Sequence, residues 1–160
     1  KVELYSQVLK DMGINPMPVF REPGEGPVTR PDLLKAFPLV LTTGGRNIAF
    51  YHSAHRNIPS LRRLSPDPEL QIHPETAKNL NISQGEWVYV ASPRGRVEAK
   101  ATLFKDIHPN VVHLPHGYWY GETDGWRRFN VNMITDNEPL CPVSAGVPVK
   151  SLLCRVEKMK

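Results

Sequence analysis

The chain has 160 residues, 40% hydrophobic and 22% charged, which is the balance of a globular protein and excludes wholesale disorder. That length supports one domain with a real core, or one domain carrying an arm. The net charge of +4 is a weak pull toward anionic partners, and no apolar run approaches the roughly 18 residues that span a bilayer.

The start, Lys1-Val2-Glu3-Leu4-Tyr5, lacks an initiator Met and any secretory-signal pattern. It is expected to be the interior of a longer polypeptide or a trimmed form of one. Ser6 is placed to cap a short helix with Val8, Leu9 and Met12 on one face and Gly13 as its stop. Residues 14–37 hold Pro16, Pro18, Pro23, Pro27 and Pro31 with Gly24 and Gly26, the composition of an arm laid over another surface. Residues 1–37 are therefore expected as a linker or arm and 38–160 as the compact domain.

β signals follow. Residues 38–43 form a short apolar strand, and 70–73 alternate. Pro74 and Glu75 suit a helix first turn leading into 76–80. Residues 87–90 read as a strand, Pro93-Arg94-Gly95 as a turn, and 97–103 as a strictly alternating strand with one wet face. Further strands are expected at 111–114 and 152–156. About six strands with two or three short helices fit a mainly β, mixed six-stranded barrel better than a sandwich. Sixteen spread prolines argue against long helices. The two cysteines, Cys141 and Cys154, lack CxxC spacing and an activating context, and are expected to be buried free thiols.

Four segments could carry chemistry. Thr43-Gly44-Gly45-Arg46 delivers a glycine pair and a guanidinium from a strand end, suited to an anion, although a plain turn needs the same residues. Tyr51 to Arg63 packs His52, Ser53, His55 and Arg56 into a few positions. In a helical turn His52 and His55 share a face, but no third ligand stands at zinc spacing. Recognition of an extended phosphate-bearing ligand fits better, with Arg62 and Arg63 on a solvated face. His113 to Gly121 places consecutive aromatics between glycines, either as stacking platforms or as an interface plug. Asn130 to Asn137 is rich in amide side chains, which also serve Asx turns. No catalytic nucleophile context is present. Aromatics and positive charge do not interleave along any strand, so nucleic acid is not expected as a partner, nor is direct membrane insertion.

Taken in order, the pieces Leu39–Arg46, Phe50–Leu64, Gln71–Ala77, Gly85–Arg96, His108–Tyr118, Asn130–Asp136 and Pro142–Val156 resemble the C-terminal, molybdopterin-dinucleotide-binding domain of the dimethyl sulfoxide reductase family of molybdenum or tungsten enzymes. The resemblance covers about residues 38–157 and is closest over Ile72–Val97. It implies a double-psi β-barrel that binds molybdopterin guanine dinucleotide, a bis cofactor holding Mo or W. It carries a cofactor-binding role to Thr43, Gly44, Gly45, Arg46, His52, Ser53, His55, Arg56, Trp119, Asn132 and Lys150. No catalytic residue and no metal ligand is implied here. The metal ligand and the cysteines of an iron–sulfur cluster belong to upstream domains in this family, so the chain is expected to be inactive alone. Its partners would be those upstream catalytic domains, reached through arm 1–37, with an electron-transfer subunit as a further candidate. The run His55–Leu61 looks most like the acetylene-hydratase-like and thiosulfate- or polysulfide-reductase-like branch.

Two alternatives remain at this point. One is a stand-alone dinucleotide-binding subunit of a multi-subunit Mo or W enzyme. The other is a barrel binding module without a pterin. Convergence of Arg46, His52, His55 and Asn132 on one cleft separates the cofactor readings from the last.

Overall fold

The alternation of apolar residues is realised as a closed barrel. In the computed structural model, which describes residues 2–118, 126–138 and 140–159, the strands are β1 (Leu39–Thr42), β2 (Glu69–Ile72), β3 (Trp87–Ser92), β4 (Gly95–Leu103), β5 (Val111–His113) and β6 (Leu152–Lys158). β4 shows the logic most clearly: Val97, Ala99 and Ala101 are buried, while Arg96, Glu98 and Lys100 lie on the wetter face.

The strands close in the order β1-β5-β2-β4-β3-β6. Two pairs are parallel. β1 runs beside β5 with Val40 opposite Val111, and β2 beside β4 with Leu70 opposite Ala101. The remaining neighbours are antiparallel. This closed mixed barrel is a double-psi β-barrel. Its interior is filled by Leu41, Leu70, Ile72, Val88, Val90, Val112, Leu152 and Cys154, each fully buried. Burying one such aliphatic side chain contributes about 1.5–3 kcal/mol, so the shared core fixes the strand ends from which the site loops leave.

The helices are short and more numerous than the sequence suggests: α1 (Gln7–Asp11), α2 (Pro31–Leu34), α3 (Pro59–Arg62), α4 (Pro74–Asn79) and α5 (Trp126–Phe129), with a 3-10 turn at Val131–Met133. The excess has a physical source. Pro31 and Pro59, counted as helix breakers, occupy helix first positions, where the missing N–H costs nothing. α1 begins as expected, with Ser6 Oγ accepting the Leu9 N–H at 3.3 Å. α4 is capped by a residue assigned to the preceding strand: His73 Nδ1 accepts the Glu75 N–H at 3.2 Å.

Glu25 ties the arm to the barrel. Glu25 Oε1 accepts the N–H of buried Leu153 at 2.8 Å and its carboxylate pairs with Arg94, which also bonds Asp136 at 2.7 Å. β6 pairs with β1 over its first residues and with β3 only from Arg155 onward. Glu25 thus supplies an acceptor where β3 does not reach. No helix of the described residues is long and apolar enough to cross a membrane. The expectation of buried thiols holds for Cys154 alone; Cys141 is exposed.

Candidate functional site

The site is built where β1 ends. Thr43 is buried and donates twice to the Val149 carbonyl, from its N–H at 3.0 Å and its hydroxyl at 2.8 Å. This ties the exit of β1 to the approach to β6 and brings Lys150 beside Gly44. A Cβ on Gly44 would lie 3.9 Å from Lys150 Cε. Gly45 has a stricter reason to be glycine. A Cβ there would fall 2.4 Å from His113 Nε2, so the imidazole packs directly on the bare backbone. His113 is held from its other side by the Thr42 hydroxyl, 3.2 Å from Nδ1.

The next segment divides into a support and a contact surface. Arg56 is only 1% exposed. Its guanidinium lies between the rings of Phe50 and Tyr118, 4.5 and 4.2 Å from their centroids, and donates to the carbonyls of Ser65 and Pro66, each at 3.4 Å. Tyr118 is fixed in turn by Ser65 and by Asn47 Nδ2 at 3.1 Å. His52 and His55 do not share a helical face. Both sit in the left-handed region, with φ of 55° and 73°, and the chain turns sharply there. His52 instead meets His116 from the loop after β5. Their Nδ1 and Nε2 atoms are 2.7 Å apart and the ring centroids 4.6 Å apart. Gly117 backs this contact, since a Cβ there would strike the His52 carbonyl at 2.4 Å.

Two clefts flank these segments. The first, about 370 Å³, is lined by Thr43, Gly44, His52, Ser53, His116, Gly117, Asn130, Val131, Asn132 and Val149. The second, about 410 Å³, is lined by Gly45, Arg46, Asn47, Ser65, Glu69, Gln71, His113, Pro115 and Tyr118. Both volumes suit parts of a small-molecule ligand, and adjacent residues, Gly44 with Gly45 and His116 with Pro115, belong to one and the other. Arg46 leans over the Tyr51 ring at 5.0 Å, with its charge at the rim.

Of the residues singled out in the sequence, Thr43, Gly44, His52, Ser53 and Asn132 share the first cleft, while Gly45 and Arg46 line the second. Lys150 is exposed beside Gly44. His55 is exposed and lines neither cleft, and Arg56 is buried behind them. Trp119 lies outside the described residues. The four residues expected to converge do not share one cleft: His52 and Asn132 line the first, Arg46 lines the adjoining one, and His55 lines neither.

The sequence does not mark His113 and His116 as site residues, because nothing in their local spacing shows that they meet groups from the loop after β1. The signal was Gly117, which lets the loop close on His52. Burial holds the His116 imidazole below its usual pKa, helped by neighbouring His52 and Arg46; burial and His116 do the same to His113. His116 Nδ1 is buried and has no hydrogen-bond partner among the described residues. No group of three or more His, Cys, Asp or Glu among the described residues could hold a metal.

Comparison with known proteins bears on what enters these clefts. Residues 39–153 match the family described as the molybdopterin dinucleotide binding domain. The chain is 33% identical over 146 residues to a dopamine dehydroxylase of Eggerthella lenta, covering 89% of this chain and 14% of that protein. It is 34% identical over 125 residues to an acetylene hydratase of Syntrophotalea acetylenica, covering 78% of this chain and 17% of that protein. The solved acetylene hydratase from Pelobacter acetylenicus superposes with a TM-score of 0.85 at 30% identity, over 99% of this chain and 23% of that one. The chain thus spans less than a quarter of the length of these relatives.

Proposed function

The chain belongs to the molybdopterin dinucleotide-binding domains of the dimethyl sulfoxide reductase family, and from that membership we propose that it holds molybdopterin guanine dinucleotide as the C-terminal domain of a larger Mo or W oxidoreductase. One observation carries the reading. The first cleft gathers backbone, hydroxyl, imidazole and amide groups, with no carboxylate among the described residues of its lining, beside Lys150 and Arg46. That is a receptor for a multiply anionic, hydrogen-bonding ligand. The buried Nδ1 of His116, without a hydrogen-bond partner among the described residues, suits such a ligand. A polar atom that has given up water gains from a ligand atom that meets it.

In this reading Gly44 and Ser53 approach the pyrophosphate, and Asn132 reads an amide or phosphate edge from the facing 3-10 turn. Lys150 and Arg46 supply positive charge at the rim. Arg56 holds the wall and does not touch the ligand. His55, which the resemblance also assigns to the cofactor, belongs to the outer rim. The bound group supplies the redox and metal chemistry; the barrel orients it and keeps water from one side. The relatives named above carry names for chemically unlike reactions, so what this domain shares with them is cofactor holding and not substrate choice. The metal ligand and any iron–sulfur cysteines lie in other parts of the parent enzyme, which are this domain's partners. The isolated chain turns over no substrate.

The test uses diguanosine 5′-pyrophosphate, a diester that carries the pyrophosphate and guanosine parts of the cofactor. Titration of the chain should shift the backbone amides of Gly44, His52, Ser53 and Asn132. Loss of one side-chain hydrogen bond in Asn132→Ala should weaken binding by about tenfold, from about 1–1.5 kcal/mol. Absence of binding, or shifts confined to residues outside the two clefts, overturns the proposal. Intact mass and Mo or W content of the native polypeptide then separate a domain of a long chain from a separate subunit.

A further inference from the structure

The His52–His116 contact has a property that simple ligand binding does not require. With Nδ1 of one ring 2.7 Å from Nε2 of the other, one proton must lie between them, and the proton count of the two outer nitrogens follows from it. If His116 donates, His52 accepts at Nδ1 and carries its single N–H on the outer nitrogen, and His116 Nδ1 is a bare buried acceptor. If His52 donates, the buried Nδ1 carries an unpaired N–H instead. Both neutral states leave a buried polar atom without a partner among the described residues. Only a pair holding one extra proton presents N–H groups at both ends, and that state is a cation.

Among the described residues, the surroundings by themselves oppose that cation. Thr43, Gly44, Ser53, Asn130 and Asn132 face the pair from the cleft lining, and none is acidic. Lys150 lies beside Gly44, Tyr51 packs edge-on to His52 with centroids 4.7 Å apart, and Arg46 and His113 approach from the adjoining cleft. The carboxylate of Glu69 lines that adjoining cleft and not this one. An anion placed in the first cleft reverses the balance, because it supplies both the counter-charge and the acceptors.

We propose that the His52–His116 pair receives the ligand's pyrophosphate as a unit and takes up one proton from solvent as it does so. The inference rests on the reading that the cleft holds a phosphate-bearing dinucleotide. It adds His116 to the binding residues and makes the affinity proton-linked. No bond other than N–H is formed. Burial keeps the free His116 below its usual pKa, so the proton is absent at neutral pH before binding and present after. Affinity therefore falls as pH rises through the pKa of the liganded pair, by up to tenfold per pH unit for one linked proton.

The probe is again diguanosine 5′-pyrophosphate, whose diester phosphates do not titrate near neutrality. Calorimetric titration of the chain at pH 7, in buffers of different ionisation enthalpy, reads protons taken up per ligand bound. The wild-type chain should take up close to one. His116→Gln keeps a hydrogen-bonding amide facing His52 but cannot titrate, and His52→Asn tolerates the left-handed backbone at that position. Both should still bind, with uptake near zero and a flattened pH profile. Binding with no uptake, or uptake unchanged in both variants, overturns this inference and leaves the cofactor reading standing. No binding at any pH sinks both.

Discussion

Replacing Glu25 by alanine should destabilise the barrel by far more than a surface charge is worth. Glu25 sits in the arm, yet its carboxylate accepts the N–H of Leu153, a residue with no exposed surface, at 2.8 Å. Removing it leaves a buried backbone donor without a partner, which costs about 1–3 kcal/mol. The pair with Arg94 adds to this. The Glu25 side chain is 10% exposed and that of Arg94 25%, so the pair is shielded more than most surface bridges and is worth about 1 kcal/mol. Glu25→Ala should therefore cost about 2–4 kcal/mol. Glu25→Gln keeps an oxygen for Leu153 and should cost about 1 kcal/mol. With a urea slope of about 2 kcal/mol/M, the midpoint should fall by about 1–2 M for alanine and about 0.5 M for glutamine. Hydrogen exchange should accelerate at the Leu153 amide in the alanine variant first. Equal midpoints for the two variants, or an alanine midpoint within about 0.3 M of wild type, would refute the view that the arm completes the barrel's hydrogen bonding.

Other consequences are as direct. Gly45→Ala places a methyl where His113 Nε2 now lies, 2.4 Å from the new carbon; the ring must move, stability should fall by about 1–3 kcal/mol, and amide shifts should spread from Gly45 into β5. His113 and His116 both have folded pKa values below the ordinary histidine value, so the unfolded chain binds more protons between the folded and unfolded pKa. Stability is then fully present above the unfolded value near 6.5 and declines as pH falls below it. Urea midpoints at pH 7.5 and 5.5 should show that decline, smaller in His113→Asn, and an unchanged or higher midpoint at the lower pH would contradict it. The Cys141 thiol is lowered to about 7 by the Ser144 hydroxyl, the backbone N–H groups of Ser144 and Val143, and the charge of Arg21. At pH 7 iodoacetamide should label Cys141, about fivefold more slowly at pH 6, and reach buried Cys154 only after denaturation, as peptide mass mapping would read.

The strands were legible because each carries its own evidence: β4 alternates, and β3 and β6 are short apolar runs between turn residues. The barrel's closure was legible in kind, since short strands of irregular spacing suit it. What was missed depends on partners far away in sequence. Pro31 and Pro59 look like breakers until the following residues are seen to turn into helix. His73 caps α4 through a side-chain nitrogen, a role that alternation in β2 conceals. Cys141 was grouped with Cys154 because composition says nothing about which loop is exposed. The paired histidines come from segments separated by a long stretch of chain, and no local spacing announces that they meet.

The donor-rich segment after β1 shows why residue type alone misassigns roles. His52, Ser53, His55 and Arg56 look equivalent in sequence, four polar groups in five positions. In the fold they differ by depth. Arg56 is the pillar: clamped between Phe50 and Tyr118, it fixes the loop after β5 against the loop after β1. That clamp sets the spacing at which Gly117 can slide under the His52 carbonyl and bring His116 within hydrogen-bond reach. Ser53 then faces the cleft beside His52, and His55 turns outward on the strained backbone that the sharp turn imposes. A buried guanidinium stacked on two rings is rigid in a way that a solvated arginine is not. The imidazole pair consequently inherits its geometry from a buried residue that lines neither cleft. Packing behind the cleft can thus preorganise its imidazoles, and the proposed proton linkage should be sensitive to that packing as well as to the histidines themselves.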